Sequence, residues 1–254
     1  STPKPSSAAS DVYKRQDHSR LLSFPGKILV AGATSPTGKL IVDRLCQLGM
    51  STRLFVRDKN RLSDSRNIDV VEGNALDQPD CVRAASGCDA IICTIGERFI
   101  PKDHSIVDGD GIINLVDAAQ IAGVSRFILV SSLGVGDTWD WLPFPVKWFF
   151  RLFGLVPILK EKERSEAHLR KTQLDWTVIY PAMLTNSKMT SEPLIVKDGR
   201  AGGISSRYAV ADTVCRCLGS PNSFESDLIV VNGYMRTLLA NEVPFNMDIP
   251  WELW

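Results

Sequence analysis

The chain has no excess of either charge. Twenty-nine Lys and Arg stand against 29 Asp and Glu over 254 residues. With no global field and no basic stripe, no nucleic-acid partner is expected. Histidine is scarce, with three residues and none near paired cysteines, which argues against a zinc site, and no metal is expected. No apolar run is long enough for a secretory signal or a transmembrane helix. The six cysteines lie scattered at 46, 81, 88, 93, 215 and 217 and are not spaced as a disulfide framework. That usage fits buried thiols in a reducing intracellular compartment, either cytoplasm or an organelle such as a plastid or mitochondrion. No internal repeat or low-complexity linker divides the chain, and its length suffices for one α/β domain with a large core.

Residues 1–22 differ from the rest. The first ten carry no acid and are rich in Ser, Pro and Ala, as in a disordered tail or the remnant of an organelle-targeting segment. Asp11-Val12-Tyr13-Lys14-Arg15-Gln16 also reads like a translated sequencing adapter, and no function is assigned to it.

The richest segment is Lys27-Ile28-Leu29-Val30-Ala31-Gly32-Ala33-Thr34-Ser35-Pro36-Thr37-Gly38. It reads as a buried strand, a tight turn of small residues and a helix that starts near Pro36. Such a turn presents unpaired N–H groups at a helix start, where they can hold a pyrophosphate. Gly32 permits the turn and Gly38 a close helix–strand contact, while Ser35 replaces the usual middle glycine. An ordinary βα turn without ligand is the alternative.

Further strands are predicted over residues 28–31, 52–56, 69–72, 90–95, 127–130, 176–180 and 228–231. Helices are predicted over 36–48, 79–85, 105–122, 160–171 and 209–218, with Gly49 and Gly123 as stops. This alternation predicts an α/β fold: a Rossmann-type doubly wound parallel sheet in one domain over 23–254, with a small irregular C-terminal lobe.

In such a sheet the second strand ends beside the adenosine ribose. An acid there would hold the hydroxyls of NAD, whereas Arg57 stands there and suits the 2′-phosphate of NADP. NADP is therefore the expected cofactor, with NAD as the alternative. Lys59 and Arg61 would add positive charge, and the Thr34 and Ser35 hydroxyls are further donors. A solvated Arg57 beside Asp58 is the bland reading. Asn74, Ala75 and Asp77 after the third strand, and Thr94, Ile95 and Gly96 after the fourth, fall where a cofactor would lie. Local turn roles are the alternative there too.

Several motifs together carry a family resemblance. They are the glycine turn, Val56-Arg57-Asp58, Gly73-Asn74-Ala75, Ser131-Ser132-Leu133-Gly134-Val135, Lys162 with Glu166, and Leu174-Asp175-Trp176-Thr177-Val178-Ile179-Tyr180-Pro181. The chain resembles the atypical short-chain dehydrogenases, in particular the NmrA-like NAD(P)-binding proteins, over about residues 27–233. The resemblance implies that Arg57 faces the NADP phosphate and that Lys162 approaches the nicotinamide ribose. Tyr180, Pro181, Ala182 and Leu184 would line the nicotinamide end. Most relatives carry arginine where Tyr180 stands.

Typical short-chain dehydrogenases place a tyrosine four residues before the lysine, one helical turn away, so that the ammonium lowers the phenol pKa. Ile158 occupies that position here and cannot exchange a proton. The catalytic candidates that remain are Ser131, Ser132, Lys162 and Tyr180. The resemblance therefore leaves two readings. One is an NADP(H)-dependent oxidoreductase acting by hydride transfer on an apolar small-molecule substrate. The other is a non-catalytic dinucleotide-binding subunit or assembly factor.

Residues 138–157 are unusually aromatic, with Trp139, Trp141, Phe144, Trp148, Phe149, Phe150 and Phe153. Prolines and charges within them exclude a membrane span. Plain core packing, a lid over an apolar substrate, and a docking face for a protein partner or a peripheral membrane contact remain open.

Overall fold

The computed structural model describes residues 24–62, 68–96, 107–188, 193–197 and 202–234. The expected N-terminal tail and the last twenty residues lie outside them. Ten strands and six helices follow in chain order: β1 Ile28–Ala31, α1 Pro36–Gln47, β2 Thr52–Val56, β3 Asp69–Glu72, α2 Gln78–Ala85, β4 Ala90–Cys93, α3 Ile112–Ala122, β5 Arg126–Val130, α4 Phe144–Leu152, α5 Val156–Leu169, β6 Asp175–Pro181, β7 Met183–Thr185, β8 Leu194–Lys197, β9 Gly203–Ser206, α6 Arg207–Cys217 and β10 Ser226–Tyr234. The sheet order is β3-β2-β1-β4-β5-β6-β10-β9-β7, with β8 also on β10. From β3 to β10 every pairing is parallel, and β8 and β9 join β10 antiparallel. This is the doubly wound Rossmann arrangement, in a single domain with extra C-terminal strands. Its order reverses between β1 and β4, where ligands bind in such sheets.

Strand period two sorts the core into two layers. Leu29 and Ala31 of β1 and Ile91 and Cys93 of β4 face α2, α3 and α5, alongside Cys81, Leu115 and Leu159. Ile28 and Val30, with Ala90 and Ile92, face α1 and α6, alongside Ile41, Leu45 and Val214. Both faces are covered, so β1 and β4 are apolar throughout. No cysteine is bridged. Cys46 on α1 is exposed and the other five are buried. Burial pushes the thiols of Cys81 and Cys93 up to about 12.

Several boundaries differ from the sequence reading. β4 stops at Cys93, two residues early, because Thr94 turns toward β1 (below). Residues 105–106 of the predicted long helix lie outside the described residues, and residues 107–111 form a π-helical turn before α3. α5 starts at Val156 with Pro157 in its first turn, where proline is tolerated, four residues earlier than predicted. The periodicity gave no sign of α4, β7, β8 or β9.

The aromatic region over residues 138–157 falls on the end of a 3₁₀ turn, on α4 and on the start of α5. That turn, Gly136–Trp141, leads into α4, and α4 has no buried residue. Trp139, Trp141 and Phe150 lie partly buried against the core, and Leu142 and Leu155 anchor the two ends. The remaining apolar side chains stand in solvent, which removes core packing as the account of Phe144, Trp148, Phe149, Leu152 and Phe153.

Candidate functional site

The first part of the site is the turn between β1 and α1. Gly32 has φ +89°, a left-handed value that favours glycine. A Cβ on Gly32 would lie 2.6 Å from Thr94 Oγ1, and one on Gly38 would lie 2.2 Å from the Gly32 carbonyl oxygen. Any larger residue would therefore fill the cradle. Ser35 is the N-cap, its Oγ accepting from Gly38 N–H at 2.9 Å, and Pro36 opens the helix. Thr94 Oγ1 donates to the carbonyls of Ala31 (3.2 Å) and Gly32 (3.1 Å) and lies 3.4 Å from Ser35 Oγ. Its side chain thus fastens the turn to β4. Thr34 and Thr37 belong to the same turn, whose first helical N–H groups lack intrahelical partners.

The second part lies at the end of β2 and β3. Arg57 is exposed and, among the described residues, pairs with no acid. Its neighbour Asp58 is turned to the chain: Asp58 Oδ1 accepts from Asn60 N–H at 2.9 Å and caps the 3₁₀ turn Lys59–Arg61. Asn74 makes the local turn, its Oδ1 accepting from Leu76 N–H at 3.1 Å, and its own N–H donates to Asp80 at 2.8 Å. Asn114 from α3 donates to the Ala75 carbonyl at 3.0 Å and so fixes that loop from below. Asp77 is exposed, with no capping bond from its side chain.

The third part is supplied by α5. Lys162 and Glu166 are one turn apart on one face. The Lys162 ammonium lies 2.6 Å from Asp108 Oδ1, whose side chain is fully buried. A Cβ on Gly96 would sit 3.3 Å from both groups, so the absence of a side chain there leaves the ammonium open to the end of β4. Ile95 packs partly buried on the core. Glu166 is buried and accepts from Ser131 Oγ (2.5 Å) and Tyr180 OH (2.5 Å). Arg170 donates to Glu166 (3.3 Å), to Tyr180 OH (2.8 Å) and to Asp227 (2.8 Å). Burial holds the Glu166 carboxyl above the usual range, against the pull of Ser131, Tyr180 and Arg170. Burial, then the Glu166 charge, pushes the Tyr180 phenol well above its ordinary value.

The structure thus brings Ser131, Tyr180 and Glu166 into one network and seats Lys162 one turn away. Ser132 is half-buried on the same loop. Pro181 and Ala182 are buried, and Ala182 N–H donates to Ser205 Oγ at 2.7 Å, which ties this end to β9. Leu184 packs partly buried on the opposite layer. The residue reading singled out neither Asp108 nor Arg170. Asp108 sits in a stretch of small and acidic residues without a motif, and only the (i, i+4) spacing from Glu166 pointed to Arg170.

Residues 32–221 match the family model described as NAD(P)H-binding. The chain belongs to the NAD(P)H-binding family. This NAD(P)H-binding protein is 34% identical over 205 residues to an uncharacterised chloroplastic protein of Arabidopsis thaliana, covering 76% of this chain and 71% of that one. An oxidoreductase of Lactococcus lactis superposes with TM-score 0.71 at 26% identity, covering 82% of this chain and 91% of that one. A short-chain dehydrogenase/reductase of Veillonella parvula, solved with NADP, gives TM-score 0.64 at 18% identity, over 81% and 94%, and speaks for the fold alone. The chain is an NAD(P)-binding Rossmann-fold protein that resembles oxidoreductases.

The cradle fits such a dinucleotide. Its two glycines leave room where a Cβ would collide, and it opens at a helix N-terminus at the point where strand order reverses. No helix among the described residues is long and apolar enough to cross a membrane.

Proposed function

We propose that the protein is an NADP(H)-dependent oxidoreductase acting on an apolar carbonyl or conjugated substrate, in a reducing compartment of the cell. The observation that carries this reading is the Lys162 ammonium. It is held by buried Asp108 beside the side-chain-free Gly96, on the β4 side of the glycine cradle.

Gly32, Thr34, Ser35, Pro36, Thr37 and Gly38 receive the pyrophosphate through backbone N–H groups and hydroxyls. Arg57 takes the 2′-phosphate. Asn74 and Ala75 border the adenine. Lys162 holds the nicotinamide ribose hydroxyls, and Thr94, Ile95 and Gly96 let the backbone come close. Ser132 would orient the substrate oxygen, with water supplying the proton that balances the hydride, and Tyr180 with Arg170 fixes Glu166 and through it Ser131 at the edge of the site. Pro181 and Ala182 shape the far wall, while Leu184, on the other layer, stays outside it. Bound NADPH supplies the hydride.

A non-catalytic dinucleotide-binding subunit is the second reading, favoured by one observation. The hydroxyl protons of Ser131 and Tyr180 both go to Glu166, and Ile158 stands where a phenol would act. A screen of NADPH oxidation against aldehydes, quinones and conjugated ketones separates the two. Turnover that falls at least tenfold in Lys162→Ala supports the enzyme. Tight NADPH binding without turnover on any substrate overturns it.

A further inference from the structure

Exposed large apolar side chains are not spread over this molecule. Of the ten among the described residues, six fall between 144 and 153: Phe144 (77% exposed), Val146, Trp148 (55%), Phe149, Leu152 and Phe153. Phe144, Trp148 and Leu152 follow at i, i+4 and i+8 and make one stripe along α4. Phe149 and Phe153, with ring centroids 4.4 Å apart, make a second beside it. A monomer in water rarely keeps such a contiguous patch without a use.

The helix has three properties that together select its partner. None of its residues is fully buried: Phe150 is half-buried against the core, and the helix presents apolar surface to solvent on more than one other side. A rigid protein partner would need a socket to enclose it, whereas fluid acyl chains close around a projecting helix without one. Its only charged residues, Lys147 and Arg151, are both cations. They lie at its base, 5.8 and 5.7 Å from the centre of the Trp139 ring, where lipid phosphates would meet Arg151 and compete for Lys147 with the exposed Asp140, 3.4 Å from it. At nine residues it is far too short to span a bilayer, and a Trp- and Phe-rich helix with flanking cations is the composition that settles in the interfacial layer.

We propose that α4 seats this protein on an anionic lipid surface, with Phe144, Trp148, Phe149, Leu152 and Phe153 entering the acyl boundary and Lys147 and Arg151 at the headgroups. α4 follows directly on the loop after β5: Leu142 packs against Gly134, three residues beyond Ser131. Docking therefore sets the Ser131 end of the sheet toward the lipid. This does not depend on the proposed chemistry, since it is measured without cofactor.

The test is flotation of the purified full chain with phosphatidylcholine vesicles, with and without 25% phosphatidylglycerol as an order-of-magnitude anionic content. The intrinsic tryptophan emission is read in parallel with brominated lipid. The wild type is expected to float with the anionic vesicles and to show quenching. Trp148→Ser/Phe149→Ser/Phe153→Ser should lower binding by about tenfold or more, and Lys147→Gln/Arg151→Gln should lower it several-fold on anionic vesicles only. Far-UV circular dichroism and the melting temperature check folding, and the single variant Phe144→Ser, at the most exposed site, serves if the triple variant fails that check. A wild type that stays with the aqueous fraction overturns the proposal. So does equal flotation of wild type and folded variant, or self-association through α4 without vesicle binding.

Discussion

The glycine turn and α4 are opposite solutions within one chain. At the turn everything is closed: Gly38 approaches Gly32 so nearly that one added carbon would lie 2.2 Å from a carbonyl oxygen, and Thr94 fastens both strands. At α4 only Phe150 reaches the core, and some of the largest apolar side chains of the protein meet solvent. The turn binds through backbone, so its specificity is written in what is absent from its residues. The helix offers side chains, and their use depends on something outside the chain.

Gly38→Ala should break the comparison most severely. The new methyl must push the Gly32 backbone out of the cradle, and a loss of about 3 kcal/mol or more is expected, together with dinucleotide binding. Gly49→Ala provides the control. No atom lies within 4 Å of its added carbon, so only the backbone strain at φ +69° remains, about 1–2 kcal/mol. Paired thermal melts distinguish the two, and equal losses would mean that the close approach at Gly38 contributes nothing.

Arg57→Ala comes next. It should weaken NADPH binding by about 1–3 kcal/mol and leave NADH nearly unchanged, because only the 2′-phosphate engages the guanidinium. Titration of both cofactors against both proteins checks this, and an unaltered preference would reduce Arg57 to a solvated side chain.

A smaller effect, visible in its pH dependence, is expected at Glu166. Its folded carboxyl is held above its unfolded value, so its contribution to stability is full below the unfolded value, about pH 4.3, and is lost as pH rises through the raised folded value. In Glu166→Gln that titration is gone. The stability of wild type relative to variant should therefore decline from pH 4 to pH 8, as read from melts across that range. A constant difference would show that the network holds Glu166 ionised at no cost.

The smallest effect should come from the most conspicuous residues. Trp148→Ser ought to change stability by no more than about 0.5 kcal/mol, and Phe149→Ser, which loses its ring contact with Phe153, by about 1 kcal/mol, since neither is buried. A loss of several kcal/mol in chemical denaturation would mean that α4 packs on the body after all.

The same contrast explains what could be read from residues alone. β1, α1, β2 and β3 lie where periodicity and glycine placement put them, because burial on both faces makes β1 an uninterrupted apolar strand and the turn after it imposes small residues. β7, β8 and β9 are three or four residues long and take their place from pairing with β10 and with each other, information that no local pattern holds. The Lys162–Glu166 spacing announced one helix face. Asp108 and Lys162 are 54 positions apart, and only the packing of α5 on the π-helical turn brings them together. α4 escaped because most of its apolar residues face solvent and only Phe150 turns to the core, so they do not mark an inward stripe.

The thiols acquire a use in this light. Cys46 alone is exposed, whereas Cys81, Cys88 and Cys93 lie in one layer of the core and Cys215 and Cys217 in the other. Native alkylation followed by mass spectrometry would thus mark one position at once and the others only as each layer opens. The protein carries its own five-point clock, able to time the two sides of its sheet separately without a single engineered probe.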